Sequence, residues 1–571
     1  MNRRNFINLS IAGGVLSTFP ALVGCNKEND KDKIKDDDKE PPKIESNELS
    51  ASLVIAGGGL GGFAAAMSAL RNGLTVILTE ETDWIGGQLT SQGVPPDEHQ
   101  WIETHGAPKS YRDFRNGVRQ YYVRNYPLTE AAAARQYLNP GDGWVSRLCH
   151  EPRVALAVME EMLLPYISSG QLTLMMEHKV IGADVDGDKV CALKVAHVRS
   201  RNETILTAPY FVDATDLGDL LPLTGTEYRS GAESRYETKE LHACEKEDPK
   251  NQQAFTLCFA MDYDNSGNHV IEKPAEYNFW REYVPALTPP WSGRLLSMTY
   301  SNPATLEPRE LGFHPDNGST GSAPNMWSYR RIINKNNFVP GTYIGDISVV
   351  NWPQNDYLLG NLDESDNDFI RHVRRAKQLS LSLFYWLQTE VPRPDGGQGW
   401  PGLRLRGDIM GTSDGMAKYP YVRESRRIKA LFTVLEEHVG RENRLLVSGD
   451  SRAAEFYDSV GTGYYHIDLH PSTAGDNYID FPSLPFQIPL GSLIPERMEN
   501  LLPANKNIGT THITNGCYRL HPVEWSIGEA VGMLTFFAIV KNIPPRAIRE
   551  NADLLSEFQN FIQRQGAEIR W

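Results

Sequence analysis

The stretch that most constrains this chain is residues 52–80, SLVIAGGGLGGFAAAMSALRNGLTVILTE. The apolar run at 53–56 suits a strand buried on both faces, residues 63–72 favour a helix, and 75–79 suits a second strand. Between the first strand and the helix, glycines stand in G-x-G-x-x-G register at Gly57, Gly59 and Gly62. This order predicts a βαβ unit whose tight turn and helix N-terminus bind the pyrophosphate of a dinucleotide.

Glu80 closes this unit and supports the same interpretation. An acidic side chain at the end of the second strand can accept hydrogen bonds from both ribose hydroxyls, and it disfavours a 2′-phosphate. The glycine spacing recurs at Gly397, Gly399 and Gly402, inside VPRPDGGQGWPG. That second match follows a helix-like segment and contains several prolines, so it predicts a loop.

Length and charge limit the classes of function. With 571 residues the chain can bury a large core, and it should hold at least two domains or one domain with an insertion. The formal net charge is −15 and no strong basic patch is visible, which argues against nucleic-acid binding. An anionic substrate would need a local cationic pocket.

The N-terminal residues carry targeting signals. Arg3 and Arg4 stand in NRRNFI, which resembles the twin-arginine export signal, and LVGC, ending at Cys25, resembles a bacterial lipobox. We expect residues 1–25 to be a signal peptide with Cys25 as the lipidation site, and the charged residues 26–50 to be a disordered tether. The protein is then exported and anchored to the cell envelope, and it touches the membrane only through its N-terminal lipid.

The other cysteines form no recognisable pattern. No C-x-x-C pair occurs among them, and their number is odd: Cys149, Cys191, Cys244, Cys258 and Cys517. We therefore expect neither a disulfide framework nor a bound metal.

Three further motifs follow in order along the chain. They are WIGGQLTSQG, the strand and turn YFVDATDLGD, and a closing segment that runs from NLLPANK through GCYRLHPVEWSIGEAVG. Together with GGGLGG and LTE, they resemble the FAD-dependent oxidoreductases of glutathione-reductase-type fold. The resemblance implies FAD as the cofactor and these cofactor-binding residues: Gly57, Gly59, Gly62, Glu80, Gly86, Gly87, Gln88, Val180, Asp213, Asp219, Arg519, Gly528 and Glu529.

The closing segment departs from the family pattern at one point. Where the family usually shows A-G-R after the strand, this chain has Ala504, Asn505 and Lys506, which leaves the role of that arginine open. Pro522 suits the first turn of the helix that follows.

The patterns and the resemblance together predict an α/β fold. A Rossmann-like FAD-binding domain of the glutathione-reductase type is expected in two parts, residues 51–227 and 491–545. Residues 228–490 match no nucleotide signature and are expected to form an inserted α+β substrate domain, and residues 546–571 a helical tail. Within the first part, the patterns predict a helix at 152–167, a strand at 172–176 and a hairpin at 180–195.

Two histidines are candidates for the catalytic base. His512 lies inside the closing motif, and His466 lies with His470 in YYHIDLHP, within the expected substrate domain. Either imidazole can accept a proton near neutral pH, or the histidines of the second segment serve only packing. The spacing of His466 and His470 also suits a metal, but no third ligand is evident.

Arg423 is the candidate anchor for a carboxylate. On a helix it would share a face with Arg426 or Arg427, and a pair of arginines can clamp a carboxylate bidentately. The alternative is a solvated helix start with an ion pair to Glu424.

These observations favour an FAD-dependent oxidoreductase that acts on a small organic or carbohydrate-derived substrate by hydride transfer at flavin N5. No second convincing dinucleotide site exists, so electrons are expected to leave to a separate acceptor, which is a quinone, oxygen or a carrier. One alternative is a flavoprotein with non-redox chemistry, such as polysaccharide-lyase-like elimination. Another is a surface binding protein without catalysis.

Overall fold

The computed structural model describes residues 47–316 and 324–571. The predicted signal peptide and most of the predicted tether lie outside the described residues. The strands are β1 (Asn47–Ser50), β2 (Leu53–Ala56), β3 (Val76–Glu80), β4 (Leu172–Met176), β5 (His178–Asp186), β6 (Lys189–His197), β7 (Glu203–Thr207), β8 (Tyr210–Asp213), β9 (Tyr228–Arg229), β10 (Phe255–Thr256), β11 (Phe259–Tyr263), β12 (Thr299–Ser301), β13 (Pro308–Glu310), β14 (Arg331–Ile333), β15 (Ile347–Val350), β16 (Asp356–Tyr357), β17 (Leu403–Leu405), β18 (Arg427–Ile428), β19 (Ser459–Gly463), β20 (Ile467–Leu469), β21 (Ile479–Phe481), β22 (Phe486–Pro489) and β23 (Leu501–Pro503).

The α-helices are α1 (Leu60–Arg71), α2 (Lys109–Asn125), α3 (Glu130–Ala133), α4 (Pro152–Ser168), α5 (Leu220–Thr224), α6 (Arg235–Thr238), α7 (Tyr277–Glu282), α8 (Met326–Tyr329), α9 (Asp366–Thr389), α10 (Gly407–Met410), α11 (Glu436–Val439), α12 (Arg441–Ser448), α13 (His512–Tyr518), α14 (His521–Lys541), α15 (Pro545–Glu550) and α16 (Ala552–Arg564). Short 3-10 turns occupy Gly87–Leu89, Lys335–Asn337, Pro353–Asn355 and Leu490–Leu493.

A parallel five-stranded sheet forms the centre of the fold, in the order β23-β8-β2-β3-β4. Every residue of β2 and β3 is buried, as expected for strands covered on both faces. The predicted βαβ unit is confirmed, although its helix begins at Leu60 and so includes Gly61 and Gly62. The closing strand β23 pairs with β8, so a late segment of the chain completes the same sheet that contains the early strand β2.

Helix α14 packs against α1 through glycines. A Cβ at Gly528 would lie 2.0 Å from the carbonyl oxygen of Gly61, and one at Gly532 would lie 2.3 Å from that of Ala65. Helix α14 is apolar enough for a membrane span, but 83% of its most apolar window is buried in the protein. It is therefore a core helix, and Pro522 stands in its first turn as predicted.

A second sheet, β1-β7-β6-β5, contains the predicted hairpin, with β5 antiparallel to β6. Its edge strand β1 pairs in parallel with β7, from Asn47 opposite Thr204 to Ser50 opposite Thr207. The expectation that the tether continues to residue 50 is wrong for these last four residues, because their backbone groups extend the sheet. The helix at 152–167 and the strand at 172–176 are also confirmed.

The middle of the chain builds an antiparallel sheet, β14-β15-β11-β17, and the long helix α9 packs against it. Phe259 of β11 meets Phe384 of α9 with ring centroids 5.7 Å apart. Residues 397–402 follow α9 as irregular chain, which confirms that the second glycine match is a loop.

Candidate functional site

The first glycine segment forms a close turn between β2 and α1. Gly57 has φ +97°, and a Cβ there would lie 2.3 Å from the carbonyl oxygen of Ala214. A Cβ at Gly62 would lie 2.0 Å from the carbonyl oxygen of Gly57. Gly59 is the N-cap of α1 and has no side chain, which leaves room for a ligand at the helix N-terminus, although the Gly61 N–H already donates to Asn505.

A cleft opens beside this turn. It is lined by Gly57, Gly59, Thr79, Glu80, Glu81, Ser91, His178, Lys179, Val180, Ala214, Thr215, Asp216, Asp219 and Tyr419. Five of the predicted cofactor residues are therefore brought together on one surface, although they come from four separate stretches of the chain.

Glu80 is held at the edge of this cleft by backbone amides. Its Oε2 accepts a hydrogen bond from Gly58 N at 3.0 Å, and its Oε1 accepts one from Thr82 N at 2.7 Å. Burial raises the pKa of Glu80 to about 7. The carboxyl group is thus fixed in position before any ligand arrives.

The second glycine pair packs on the first. Gly86 has φ +101° and donates its N–H to the carbonyl oxygen of Gly58 at 2.7 Å. A Cβ at Gly87 would lie 2.9 Å from Cα of Gly59. Gln88 donates to the carbonyl oxygen of Arg519 at 3.0 Å, which ties this segment to the closing motif.

Asp213 organises the loop that follows β8. Its carboxylate accepts hydrogen bonds from Thr215 N and Oγ1 and from Leu220 N, and burial raises its pKa to about 7. Because both oxygens serve this loop, Asp213 shapes the cleft wall, whereas Asp219 lines the cleft itself and pairs with Arg426 at 3.2 Å.

Asn505 and Lys506 stand where the family usually has glycine and arginine. Asn505 accepts from Gly61 N at 3.0 Å and donates to the carbonyl oxygen of Ala214 at 2.7 Å. Lys506 is buried, with Nζ 3.0 Å from Asp216 and 3.3 Å from Glu524. Burial alone would lower the pKa of Lys506, but the two carboxylates raise it. This chain therefore has a buried, paired cation at the position where the family usually has arginine.

Two predicted cofactor residues occupy other positions. Gly528 faces Gly61 in the contact between α14 and α1, where any side chain would clash. Glu529 accepts a hydrogen bond from Ser110 and lies 3.3 Å from Arg71. These contacts assign both residues to helix packing, so the expectation that they bind the cofactor is corrected.

Arg519 lies at the C-terminal end of α13 and is buried. Its Nη1 donates to the phenol oxygen of Tyr421 at 3.0 Å, and its Nη2 lies 3.1 Å from the carboxylate of Asp468. Burial raises the pKa of Asp468, but His470 and Arg519 hold it below its ordinary value.

Arg423 does not lie on a helix, which corrects both interpretations of its segment. Residues 422–426 are irregular and buried, and β18 begins at Arg427. Arg423 instead donates to Ala254 O and Asn351 Oδ1, at 2.7 and 3.1 Å, and lies 3.0 Å from Asp356. The extended chain sends neighbouring side chains in different directions, so Arg426 reaches Asp219 instead.

His512 belongs to a buried ion network. Its Nδ1 lies 2.9 Å from Glu424, which also accepts from Arg427 at 2.6 Å. Burial lowers the pKa of His512, but Glu424 raises it above its ordinary value. Although burial raises it, the pKa of Glu424 is held at about 2 by His512 and Arg427. All the members of this network have partners that fix them in place.

His466 has a different environment. Its side chain is 40% exposed, and its Nδ1 lies 2.6 Å from Asp480. Burial lowers the pKa of His466, but its hydrogen bond to Asp480 raises it overall. His470, at the other end of β20, lies 2.5 Å from a different carboxylate, that of Asp356, so the two histidines do not share a ligand position.

His466 opens into a cleft of about 580 Å³. The cleft is lined by Glu98, His99, Gln100, Asn139, Gly143, Trp144, Val145, Ser146, Arg147, Tyr464, Tyr465 and His466. A half-exposed imidazole oriented by a carboxylate can accept a proton from a molecule in such a cleft.

Sequence reasoning missed Asp97, Arg330 and His521. Asp97 donates its N–H to Nδ1 of His521 at 3.0 Å, and its carboxylate lies 3.3 Å from Arg330. Burial lowers the pKa of His521 to about 3, so the ring is neutral and its proton is on Nε2. Of these three residues, only His521 carries a signal in the sequence, because it immediately precedes Pro522, which is typical of a helix start.

The comparisons with known proteins agree with this geometry. Residues 52–562 match a family model described as FAD dependent oxidoreductase. A search of curated proteins gave no match.

Several solved structures align with the chain. A p-nitrophenol 4-monooxygenase from Pseudomonas putida is 10% identical over 91% of this chain and 88% of its own, with a TM-score of 0.34. A geranylgeranyl bacteriochlorophyll reductase-like protein from Thermoplasma acidophilum is 10% identical over 91% and 85%, with a TM-score of 0.31. An L-proline dehydrogenase from P. horikoshii is 16% identical, and the alignment spans only 33% of this chain and 24% of that one, with a TM-score of 0.17.

Proposed function

The chain belongs to the FAD dependent oxidoreductase family, and from that membership we propose that it oxidises a small organic or saccharide substrate by hydride transfer to the flavin. The observation that carries the proposal is the His466–Asp480 pair, which opens into a cleft of about 580 Å³. Oxidation of a carbon–hydrogen bond beside a hydroxyl group needs a base for the hydroxyl proton, and this pair offers one.

The residues of the first cleft fit FAD. Gly59 at the helix N-terminus suits the pyrophosphate, and the fixed carboxyl group of Glu80 suits the ribose hydroxyls. Some buried polar atoms have no hydrogen-bond partner among the described residues, and they include Oε1 of Gln88, Oε1 of Gln92 and Nε2 of His521. These atoms are available to the polar atoms of a flavin ring. FAD bound there would supply a two-electron acceptor.

His466 is better placed than His512 to act as the catalytic base. The imidazole of His466 is 40% exposed and oriented through Nδ1, so Nε2 can accept the substrate proton. His512 is held between Glu424 and the backbone bond to Glu233 in a buried network. Two positions after His466, Asp468 lies 3.1 Å from Arg519 of the closing motif, which connects the segment of His466 to that motif.

Anaerobic titration tests the proposal. The purified yellow protein is mixed with a panel of metabolites and oligosaccharides without oxygen, and the flavin absorbance is followed. We expect one class of compound to bleach the flavin and a quinone or oxygen to restore it. An unsaturated product that absorbs in the ultraviolet, without flavin bleaching, would instead mark an elimination reaction.

We extend the proposal to location and electron acceptor. Arg3, Arg4 and Cys25 form an export and lipidation pattern that lies outside the described residues, and it is the support for an exported, lipid-anchored protein. An exported enzyme has no soluble pool of reduced nicotinamide, so a quinone, oxygen or a separate carrier is the acceptor that fits.

A further inference from the structure

Three buried arginines from distant parts of the chain share their contacts. Arg330 donates Nη1 to the carbonyl oxygen of Asn351 at 3.0 Å, and Arg423 donates Nη2 to the side-chain oxygen of the same residue at 3.1 Å. The guanidinium carbon of Arg423 also lies over the ring of Tyr421, 5.0 Å from the ring centroid. The phenol of Tyr421 accepts from Arg519 at 3.0 Å. Asn351 and Tyr421 thus join the three guanidinium groups into one cluster, here called the arginine cluster.

Each arginine of the cluster keeps one donor unused. The Nε atoms of Arg330, Arg423 and Arg519 are buried, and none has a hydrogen-bond partner within residues 47–316 and 324–571. Native proteins leave few buried donors unpaired, because an unpaired donor loses its water without compensation. Three such atoms in one contact cluster indicate that something from outside the protein supplies the acceptors.

The neighbouring Arg331 gives the contrast. Its Nε donates to the carbonyl oxygen of Gly141 at 2.7 Å, its Nη1 to Asp346 at 2.8 Å and its Nη2 to the carbonyl oxygen of Asp142. Arg331 is an ordinary structural arginine with every nitrogen engaged. Arg115, which pairs with Glu98 and Glu103, also has a buried Nε without a hydrogen-bond partner among the described residues, so what distinguishes the arginine cluster is that three such atoms belong to one set of contacts.

Each guanidinium group of the arginine cluster is paired with a carboxylate. Arg330 pairs with Asp97, Arg423 with Asp356 and Arg519 with Asp468, at 3.3, 3.0 and 3.1 Å. His470 sits between two of these carboxylates, 2.5 Å from Asp356 and 3.8 Å from Asp468. The Nε edge of a guanidinium is also the edge that matches a planar carboxylate.

We propose that the arginine cluster anchors a carboxylate of the substrate, so that the enzyme acts on an organic or sugar acid. The inference rests on the proposed function, because it names the substrate class of that site. Strand β20 provides the link, since it begins one position after His466 and its Asp468 pairs with Arg519 at 3.1 Å. The anchored acid then presents its oxidisable carbon to the base and the flavin.

Acetate binding tests whether the arginine cluster binds a carboxylate, and it needs no catalytic turnover. FAD-loaded protein is titrated with sodium acetate and, separately, with the neutral isostere acetamide at equal ionic strength. The readouts are the flavin absorbance spectrum and the melting temperature. We expect acetate to change both and acetamide to change neither. Arg330→Lys and Arg519→Lys keep the positive charge but lack the Nε donor. Each is expected to weaken the affinity for acetate about 10- to 100-fold, the loss typical of one charge-assisted hydrogen bond.

Arg331→Lys is the matched control, and it should bind acetate like the unaltered protein. Flavin content and melting temperature without acetate report whether each variant is folded. Equal effects of acetate and acetamide would overturn the anchor, and so would acetate binding that is unchanged in folded Arg330→Lys and Arg519→Lys. Flavin reduction by a neutral substrate that acetate does not inhibit would also overturn it and leave the proposed function standing. Acetate binding without any reducing substrate would support the anchor and count against the proposed function.

Discussion

The phenol oxygen of Tyr421 lies 3.0 Å from Nη1 of Arg519, and this bond joins the middle of the chain to its closing segment. Both residues are buried, so neither water nor a mobile side chain can replace the bond. We expect Tyr421→Phe to lower the free energy of unfolding by about 1–3 kcal/mol, the penalty for a buried donor without a partner. Urea unfolding measures it. Tyr236→Phe is the control, since Tyr236 is 73% exposed and its loss should have no effect.

The glycine turn makes a prediction about cofactor content. In Gly59→Val the nearest atom to the new Cβ is the side-chain nitrogen of Asn505 at 3.2 Å, which can move, so the protein should fold. The valine then blocks the backbone approach to the pyrophosphate, and FAD should be absent from the purified protein. Gly182→Val is the matched control, because a Cβ at Gly182 has 3.8 Å of space, and it should keep FAD. FAD released by heating is the measurement, and a folded Gly59→Val with full FAD would refute the assignment.

The proposed base makes a prediction about rate. Once a substrate is known, His466→Gln should slow flavin reduction about 10²- to 10⁴-fold and leave FAD content unchanged. Asp480→Asn should lower the pKa of His466, so the pH at which the rate rises should move down. The control is His269→Gln, since His269 also pairs with a carboxylate, at 3.3 Å from Asp264, but belongs to neither cleft lining. A near-normal rate in His466→Gln would remove it as the base.

The His512–Glu424 pair makes a prediction about stability against pH. Because Glu424 raises the pKa of His512, the protonated pair contributes stability that is complete below the ordinary histidine pKa of about 6.5 and is lost as the pH rises through the raised value. Glu424, with a pKa of about 2, stays ionised throughout. His512→Gln should destabilise the fold by about 3–5 kcal/mol at about pH 6 and by less at about pH 9. Urea unfolding at both pH values measures the free energy of unfolding. A loss of stability in His512→Gln that is the same at both pH values would contradict the prediction.

The proposed export signal makes a prediction that does not depend on the fold. Replacing Arg3 and Arg4 by lysine should leave the precursor in the cytoplasm, because twin-arginine export requires the arginine pair. Cys25→Ala alone should give a protein that is exported but not anchored. Fractionation and immunoblotting of both variants are the measurements, and unchanged membrane attachment in Cys25→Ala would exclude the lipid anchor.

The elements around the glycine turn could be predicted because their signals are local. The strand–turn–helix order at residues 53–71, the hairpin and Pro522 each depend on residues a few positions apart. Glu80, Val180 and Asp219, which the family resemblance implied as cofactor residues, lie together on one cleft.

The arginine cluster could not be predicted in the same way. Arg330 and Arg423 are brought together by Asn351, and nothing in the spacing of these positions records the contact. The helix expected at Arg423 failed because buried partners hold an extended chain there, which overrides the propensity of a charged segment for a helix. Gly528 fits a cofactor motif and a helix contact equally well in sequence, and only the 2.0 Å approach to Gly61 decides between them.

Strand β23 pairs with β8, although almost three hundred residues separate them along the chain. During synthesis the central sheet therefore lacks this strand until residues 501–503 have left the ribosome. Asn505, which holds Gly61 and Ala214 in place, emerges two positions after that strand. The dinucleotide cradle is consequently incomplete until residues 501–505 have been added, so the glycine turn and its helix cannot form the finished FAD site by themselves.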